Sequence, residues 1–157
     1  MNMVINPAPI RVALRVEANP ARAFDVFTSG MGRWWNKSHS VGSSPQRDVV
    51  VEPRAGGRWF ERGEDGSECD WGRVLVWEPP SRLVLAWQLN ADWRFDPGFE
   101  TELELRFEPD GDNFTRVDLE HRNLERFGGK AEAVRASIGS AEGWPGLLDR
   151  YAAALKA

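Results

Sequence analysis

His121 is the residue whose type and setting point most directly at chemistry. It stands in an alternating run in phase with Val117 and Leu119, so an imidazole is placed among apolar neighbours on an inward strand face. There it can orient a ligand or act as a general acid/base. The plainer expectation is a satisfied core histidine, hydrogen-bonded to backbone or to Tyr151, because no carboxylate is identifiable as its partner. His39 lies in the polar stretch 36–46 (Asn-Lys-Ser-His-Ser-Val-Gly-Ser-Ser-Pro-Gln) and is expected to be solvated. Glu61 and Asp70 flank the Gly63-Glu64-Asp65-Gly66 turn; exposed edge positions are expected for both, inward projection being the alternative. Asp92 and Asp96 belong to a longer excursion, 90–98, and are expected in solvent. Cys69 is the single cysteine, which rules out an intrachain disulfide and suits a small apolar filler better than a nucleophile. Two histidines and one cysteine at unrelated spacings do not make a metal site, and no cofactor is expected. Nucleophile-elbow, Walker-type and dinucleotide fingerprints are absent from the sequence; Gly56-Gly57 opens a strand rather than a helix and cannot cradle phosphate.

Eight tryptophans are the second chemical feature. Trp87 shares phase with Leu83, Leu85 and Leu89 and faces inward. Trp59 fits either face, and Trp71 is out of phase with Val74 and Val76 unless Gly72 marks a bulge. Trp34 and Trp35 fall at a helix corner and Trp144 at the start of the last helix, positions that bracket the two ends of a cavity. The bland role for each is core filling; the functional role for the set is a cage around a flat apolar ligand.

The elements that must position these groups are legible from periodicity. Ile10, Val12, Leu14 and Val16 alternate with polar residues as a strand does. Asn19-Pro20 reads as an N-cap with proline in the first helical turn, followed by Ala23, Phe24, Phe27 and Met31 at helical spacing; Ser29-Gly30 breaks the run before a short second helix to Trp35. Strands follow at 47–52, 57–62, 69–77 and 82–89, then at 99–107 and 115–123. In the last pair Leu103, Leu105 and Phe107 share one face while Glu102, Glu104 and Arg106 share the other, so a one-residue slip would bury charge and the register is strongly specified. A short helix over 131–138 precedes a final helix from Trp144, in which Leu147/Leu148, Tyr151 and Leu155 continue one apolar stripe. That stripe needs a concave apolar partner, and the sheet is the one available. The segments 36–46 and 90–98 should meet at one rim, with Trp93 and Phe95 capping the core, packing on a second subunit as a homodimer, or gating a ligand.

With 157 residues, the chain suits one domain rather than two. A net charge of −4 with no basic cluster argues against nucleic-acid binding, and no apolar run approaches a membrane span. Met1 to Ile10 carries no basic segment followed by an apolar one, so no signal peptide is expected and the cytoplasm is the default location.

Several motifs occur in one order. They are Gly56-Gly57-Arg58-Trp59-Phe60, Gly72-Arg73-Val74-Leu75-Val76, Pro79-Pro80-Ser81-Arg82-Leu83-Val84-Leu85-Ala86-Trp87, Phe107-Glu108-Pro109-Asp110-Gly111 with Thr115-Arg116-Val117, and Gly143-Trp144 before Leu147-Leu148-Asp149-Arg150-Tyr151. Over about 10–155 this resembles the domain family named for the activator of Hsp90 ATPase, within the START-like, Bet v 1-like (SRPBCC) superfamily. The resemblance implies an α+β helix-grip fold: a curved antiparallel sheet wrapped around a long C-terminal helix. It implies binding of a hydrophobic or aromatic small molecule between that helix and the sheet. The pocket would then be drawn from Trp35, Trp59, Trp87 and Trp144 with His121 and Tyr151, and from Leu103, Leu105, Phe107, Leu119 and Leu148. Two alternatives follow from the same resemblance. One is a co-chaperone module for an Hsp90-type partner in a stress response; the other is a cyclase- or lyase-like enzyme using His121 as acid/base with Glu61 or Asp70 as partner.

Overall fold

A computed structural model describes residues 7–156; Met1–Asn6, on which part of the signal-peptide expectation falls, lie outside the described residues. The elements run β1 (Ile10–Val16), α1 (Pro20–Thr28), α2 (Met31–Trp34), β2 (Gln46–Val51), β3 (Arg58–Gly63), β4 (Glu68–Glu78), β5 (Arg82–Trp87), β6 (Thr101–Pro109) and β7 (Thr115–Arg122). A 3₁₀ segment (Leu124–Lys130), α3 (Ala131–Ile138) and α4 (Trp144–Leu155) complete the chain. All seven strands form one antiparallel sheet in the order β1-β7-β6-β5-β4-β3-β2. The sheet curls into a half-barrel, and α4 is packed within it: this is the α+β helix-grip fold. No helix among the described residues is long and apolar enough to cross a membrane.

Local chemistry accounts for the entry to α1 and α4. Asn19 accepts a hydrogen bond from the Arg22 amide at 2.9 Å and Pro20 occupies the first turn of α1, as an N-cap and proline at that place require. Pro145 likewise occupies the first turn of α4, which starts after Gly143 without a side-chain cap. On the convex face Glu104 and Glu120 stand directly opposite each other across β6 and β7, a pairing that is unfavourable alone. Arg122 relieves it by bonding both, at 2.6 and 2.9 Å, and Arg82 adds a 2.6 Å contact to Glu104. Burial alone would raise the Glu104 carboxyl; the hydrogen bonds from Arg82 and Arg122 outweigh it and hold the group below the usual carboxylate range.

The concave face is shaped by a bulge. Trp59 pairs with Gly72 but Phe60 pairs with Asp70, so Trp71 is the extra residue on β4. The bulge turns Trp71 inward in spite of its phase, and both Trp59 and Trp71 are buried. Gly72 permits this because β5 crosses it closely: a Cβ there would collide with the Ala86 backbone oxygen. Gly72→Ala should therefore force the two strands apart and lower unfolding free energy by about 1–3 kcal/mol. Urea denaturation measures this, and an unchanged midpoint would contradict the close-approach account.

Candidate functional site

A cavity of about 320 Å³ opens at one end of the grip, where α4 begins. Its walls are the indoles of Trp35, Trp71, Trp87 and Trp144, with Leu89, Ile138 and Leu147 between them. Its mouth is formed by Ser38–Val41 from the segment before β2, by Trp93, and by Ser137, Glu142 and Gly143. The two long connections thus do meet at one rim. The middle of the grip is closed: Phe27, Trp34, Phe107 and Tyr151 pack edge to face there, with Phe27 5.9 Å from Phe107 and 5.3 Å from Tyr151. Tyr151 donates its hydroxyl to the Ala23 carbonyl at 2.7 Å, fixing α4 to α1, and burial raises its pKa.

Of the residues expected to line a pocket, Trp35, Trp87 and Trp144 do so. Trp59, Leu103, Leu105, Phe107, Leu119, Leu148 and Tyr151 are buried in the packed core instead, and Trp59 donates its N–H to the Met31 sulfur at 3.3 Å. Trp35 and Trp144 do not bracket opposite ends; their rings meet edge to face 5.8 Å apart on one wall. The alternation rule could not reveal this, because it assigns a face and not a position along the groove.

His121 is fully buried behind that wall. Trp144 Nε1–H donates to its Nδ1 at 3.1 Å, which leaves the hydrogen on Nε2, and Nε2 bonds the Thr101 hydroxyl at 2.8 Å. Its partners are therefore Thr101 and Trp144, neither Tyr151 nor backbone. Desolvation lowers its pKa from 6.5 to about 3, so the ring is neutral at ordinary pH.

Two residues correct the sequence expectation. Glu61 is only 1% exposed, not at an open edge. It accepts hydrogen bonds from Ser40 Oγ (2.5 Å), the Val41 amide (2.6 Å) and Trp71 Nε1 (3.0 Å), and so straps the mouth segment to the sheet. The signal was present: β3 alternates, and once Trp59 faces inward Glu61 must follow it. His39 is half-buried at the mouth, where its Nε2–H donates to the Glu142 carbonyl at 2.7 Å across the opening. Nothing in the periodicity of a loop marks such a contact. Asp70, by contrast, is partly exposed and paired with Arg58 at 2.7 Å. Asp92 is exposed and contacts Lys130 at 3.1 Å. Burial pushes the Cys69 thiol up, with the Glu61 and Asp70 charges adding to it, which disfavours the reactive thiolate. Among the described residues no group of three His, Cys, Asp or Glu side chains is arranged to hold a metal ion.

The indole N–H groups of all four wall tryptophans are already used. Trp35 donates to the His39 carbonyl (3.1 Å), Trp71 to Glu61, Trp87 to the Leu89 carbonyl (3.0 Å) and Trp144 to His121. What they offer a ligand is aromatic surface.

Comparison with solved structures finds three informative likenesses. The anthrahydroquino-γ-pyrone synthase Txn09 is 34% identical, with 96% of this chain and 99% of that one aligned at a TM-score of 0.67. The self-sacrificing resistance protein CalC from Micromonospora echinospora is 32% identical over 94% of each chain, with a TM-score of 0.70. The Hsp90 activator PFC0360w from Plasmodium falciparum shares the fold at 18% identity, over 82% of this chain and 86% of its own, with a TM-score of 0.54. A comparison with curated proteins finds no significant match. The family model described as activator of Hsp90 ATPase homolog 1-like protein matches residues 17–156, and the chain belongs to that family.

Proposed function

We propose that this protein binds a flat, fused-ring aromatic small molecule in the tryptophan-walled cavity. The observation that carries the reading is the wall itself: four indoles with every N–H satisfied internally, enclosing about 320 Å³. That volume is at the small end of the roughly 300–1,000 Å³ of ligand pockets, which are mostly apolar with a few polar anchors. Trp93 supports the reading independently. It is 40% exposed, its backbone is held in the left-handed region (φ 60°), and its ring meets Trp87 edge to face at 6.3 Å over the mouth. A bulky residue kept in such a conformation at a cavity mouth is the kind of local strain that accompanies ligand contact. The likeness to Txn09, a synthase whose name specifies a fused aromatic product, points the same way.

Docking onto an Hsp90-type chaperone is the weaker reading. It calls for an exposed apolar patch, and among the described residues Trp93 is the one exposed large hydrophobic side chain. Catalysis on the bound aromatic is the second reading, favoured by the synthase relative. In that case His121 acts by positioning Trp144, and proton transfer falls to groups at the mouth.

Anthraquinone, flavone and a lauric acid control, screened by thermal shift, test the main reading. The aromatics should stabilise the protein, by about 2.7 kcal/mol at a hundred times the dissociation constant, and laurate should not. Trp93→Ala should weaken aromatic binding about three- to tenfold without lowering the melting temperature. Stabilisation by laurate alone, or none at all, would sink the proposal.

The role given to His121 has its own pH signature. An unfolded chain protonates this histidine below about pH 6.5, whereas the native ring resists until about pH 3. The unfolded state therefore binds more protons in that window. His121's contribution is complete above pH 6.5 and is lost as the pH falls toward 3, at up to about 1.4 kcal/mol per unit. In an NMR titration of the folded protein the His121 ring protons should stay still from pH 7.5 to about 5. A midpoint near 6.5 for that ring would return it to the acid/base role.

A further inference from the structure

The polar groups at the cavity mouth share one property that the aromatic wall does not explain. Ser40 Oγ donates its only hydrogen to Glu61 Oε2 at 2.5 Å. Ser38 Oγ donates its hydrogen to Asn36 Oδ1 at 2.7 Å. The Nε2–H of His39 is spent on the Glu142 carbonyl at 2.7 Å. With the four wall indole N–H groups also committed, the wall around Ser40 offers a ligand few donors; the Trp93 indole N–H, out at the mouth, is the one indole donor of the lining with no partner among the described residues. Only Ser137, at the exposed lip, has a hydroxyl not drawn into the wall.

Ser40 is the most strongly defined of these groups. Glu61 is buried, has no cation within salt-bridge distance among the described residues, and takes donors on both oxygens: Ser40 on one, the Val41 amide and Trp71 Nε1 on the other. A hydroxyl bonded to a carboxylate this closely is held in one orientation by a charge-assisted hydrogen bond. Its oxygen then has only acceptor capacity left, and gains acceptor strength from the neighbouring negative charge.

We propose that Ser40, oriented by Glu61, is the specificity-determining residue of the cavity and selects aromatic ligands that present a hydroxyl group over the same ring system with that hydroxyl methylated. This rests on the aromatic-binding reading above. A phenol donates to Ser40 Oγ; an aryl methyl ether brings an acceptor against an acceptor and leaves both desolvated oxygens without a hydrogen. Such a mismatch discriminates better than adding or removing apolar volume does.

The probes are 2-naphthol and 2-methoxynaphthalene, titrated by calorimetry into the intact chain. The wild type should prefer the naphthol by about tenfold. Ser40→Ala should bring that ratio close to one, and Ser40→Thr, which restores a hydroxyl, should recover it. Glu61→Gln should also abolish the preference, because an amide N–H donating to Ser40 Oγ occupies one of its two lone pairs and frees its hydrogen, so that the hydroxyl can donate to an ether as well as accept from a phenol. Thermal melts establish that each variant is folded, and Ser40→Ala carries the test if Glu61→Gln is not. Equal affinity for both probes in the wild type, or a preference that survives Ser40→Ala, overturns the Ser40 proposal and leaves aromatic binding standing. Failure of both probes to bind at up to about 1 mM overturns the two together.

Discussion

The hydrogen-bond chain Trp144–His121–Thr101 is the constraint on which the site depends. It works only with a neutral imidazole: Nδ1 must be free of hydrogen to accept from the Trp144 indole, and Nε2 must carry one to meet Thr101. Full burial among Trp87, Trp144 and the strand side chains supplies that condition, since desolvation penalises the charged ring. The result ties β7 and β6 to the first residue of α4. Trp144 is thereby placed as both helix start and cavity wall, 5.9 Å from Trp87 and 5.8 Å from Trp35. A histidine that looks catalytic in the sequence is used to hold an aromatic surface in place.

Glu61 performs the matching task on the other side of the cavity. It fixes the segment Ser40–Val41 and the bulged Trp71 with one carboxylate, so the mouth and the wall are set by the same group. Gly42 belongs to this arrangement, for a Cβ there would press within 3.2 Å of Glu61 Oε2. An uncompensated buried carboxylate is costly unless its lone pairs are met, and three donors meet them here. The group is therefore legible as a local organiser rather than as a member of an ion-pair network like the one around Glu104 on the convex face.

The fold was readable because its information is periodic. β6 and β7 alternate cleanly, and their observed register pairs Leu103 with His121, Leu105 with Leu119 and Phe107 with Val117, one apolar face against another. The helix boundary at Asn19-Pro20 followed from capping chemistry, and the one at Trp144-Pro145 from the place proline can take in a first helical turn. The site was readable only in part. Trp87 could be assigned inward from strand phase and Trp144 from the apolar stripe of the last helix, while Trp35 was placed only at a helix corner; that the three meet at one end of the groove depends on how the curled sheet meets α4, which no local rule encodes. His39 and Ser40 carry no periodic signal because they sit in a connection. The 3₁₀ segment Leu124–Lys130 was missed for a related reason: Gly128 breaks the helical dihedrals within it (φ 63°), so its pattern never completes a turn of regular helix.

Why a cavity remains at this end and not in the middle is a matter of side-chain size. Along the body of α4 the facing residues are all large: Phe27, Trp34, Phe107, Leu148 and Tyr151 interlock and leave no room. At the start of α4 large indoles face small residues, Ser38, Ser40, Ser137 and Gly143, across the mouth. Gly143 cannot be enlarged, because a Cβ there would run into the Ile138 backbone that closes α3 against α4. An interior packs to the density of an organic crystal only where complementary volumes meet. Here they do not, so the aromatic wall retains unfilled surface, and opposite it Ser38 and Ser40 are bonded to Asn36 and Glu61 rather than collapsed into the space. The hole is thus lined by indoles each anchored through its N–H on one side and by Ser38 and Ser40, each bonded away from it, on the other, an arrangement that leaves few groups to be reordered when the space is filled.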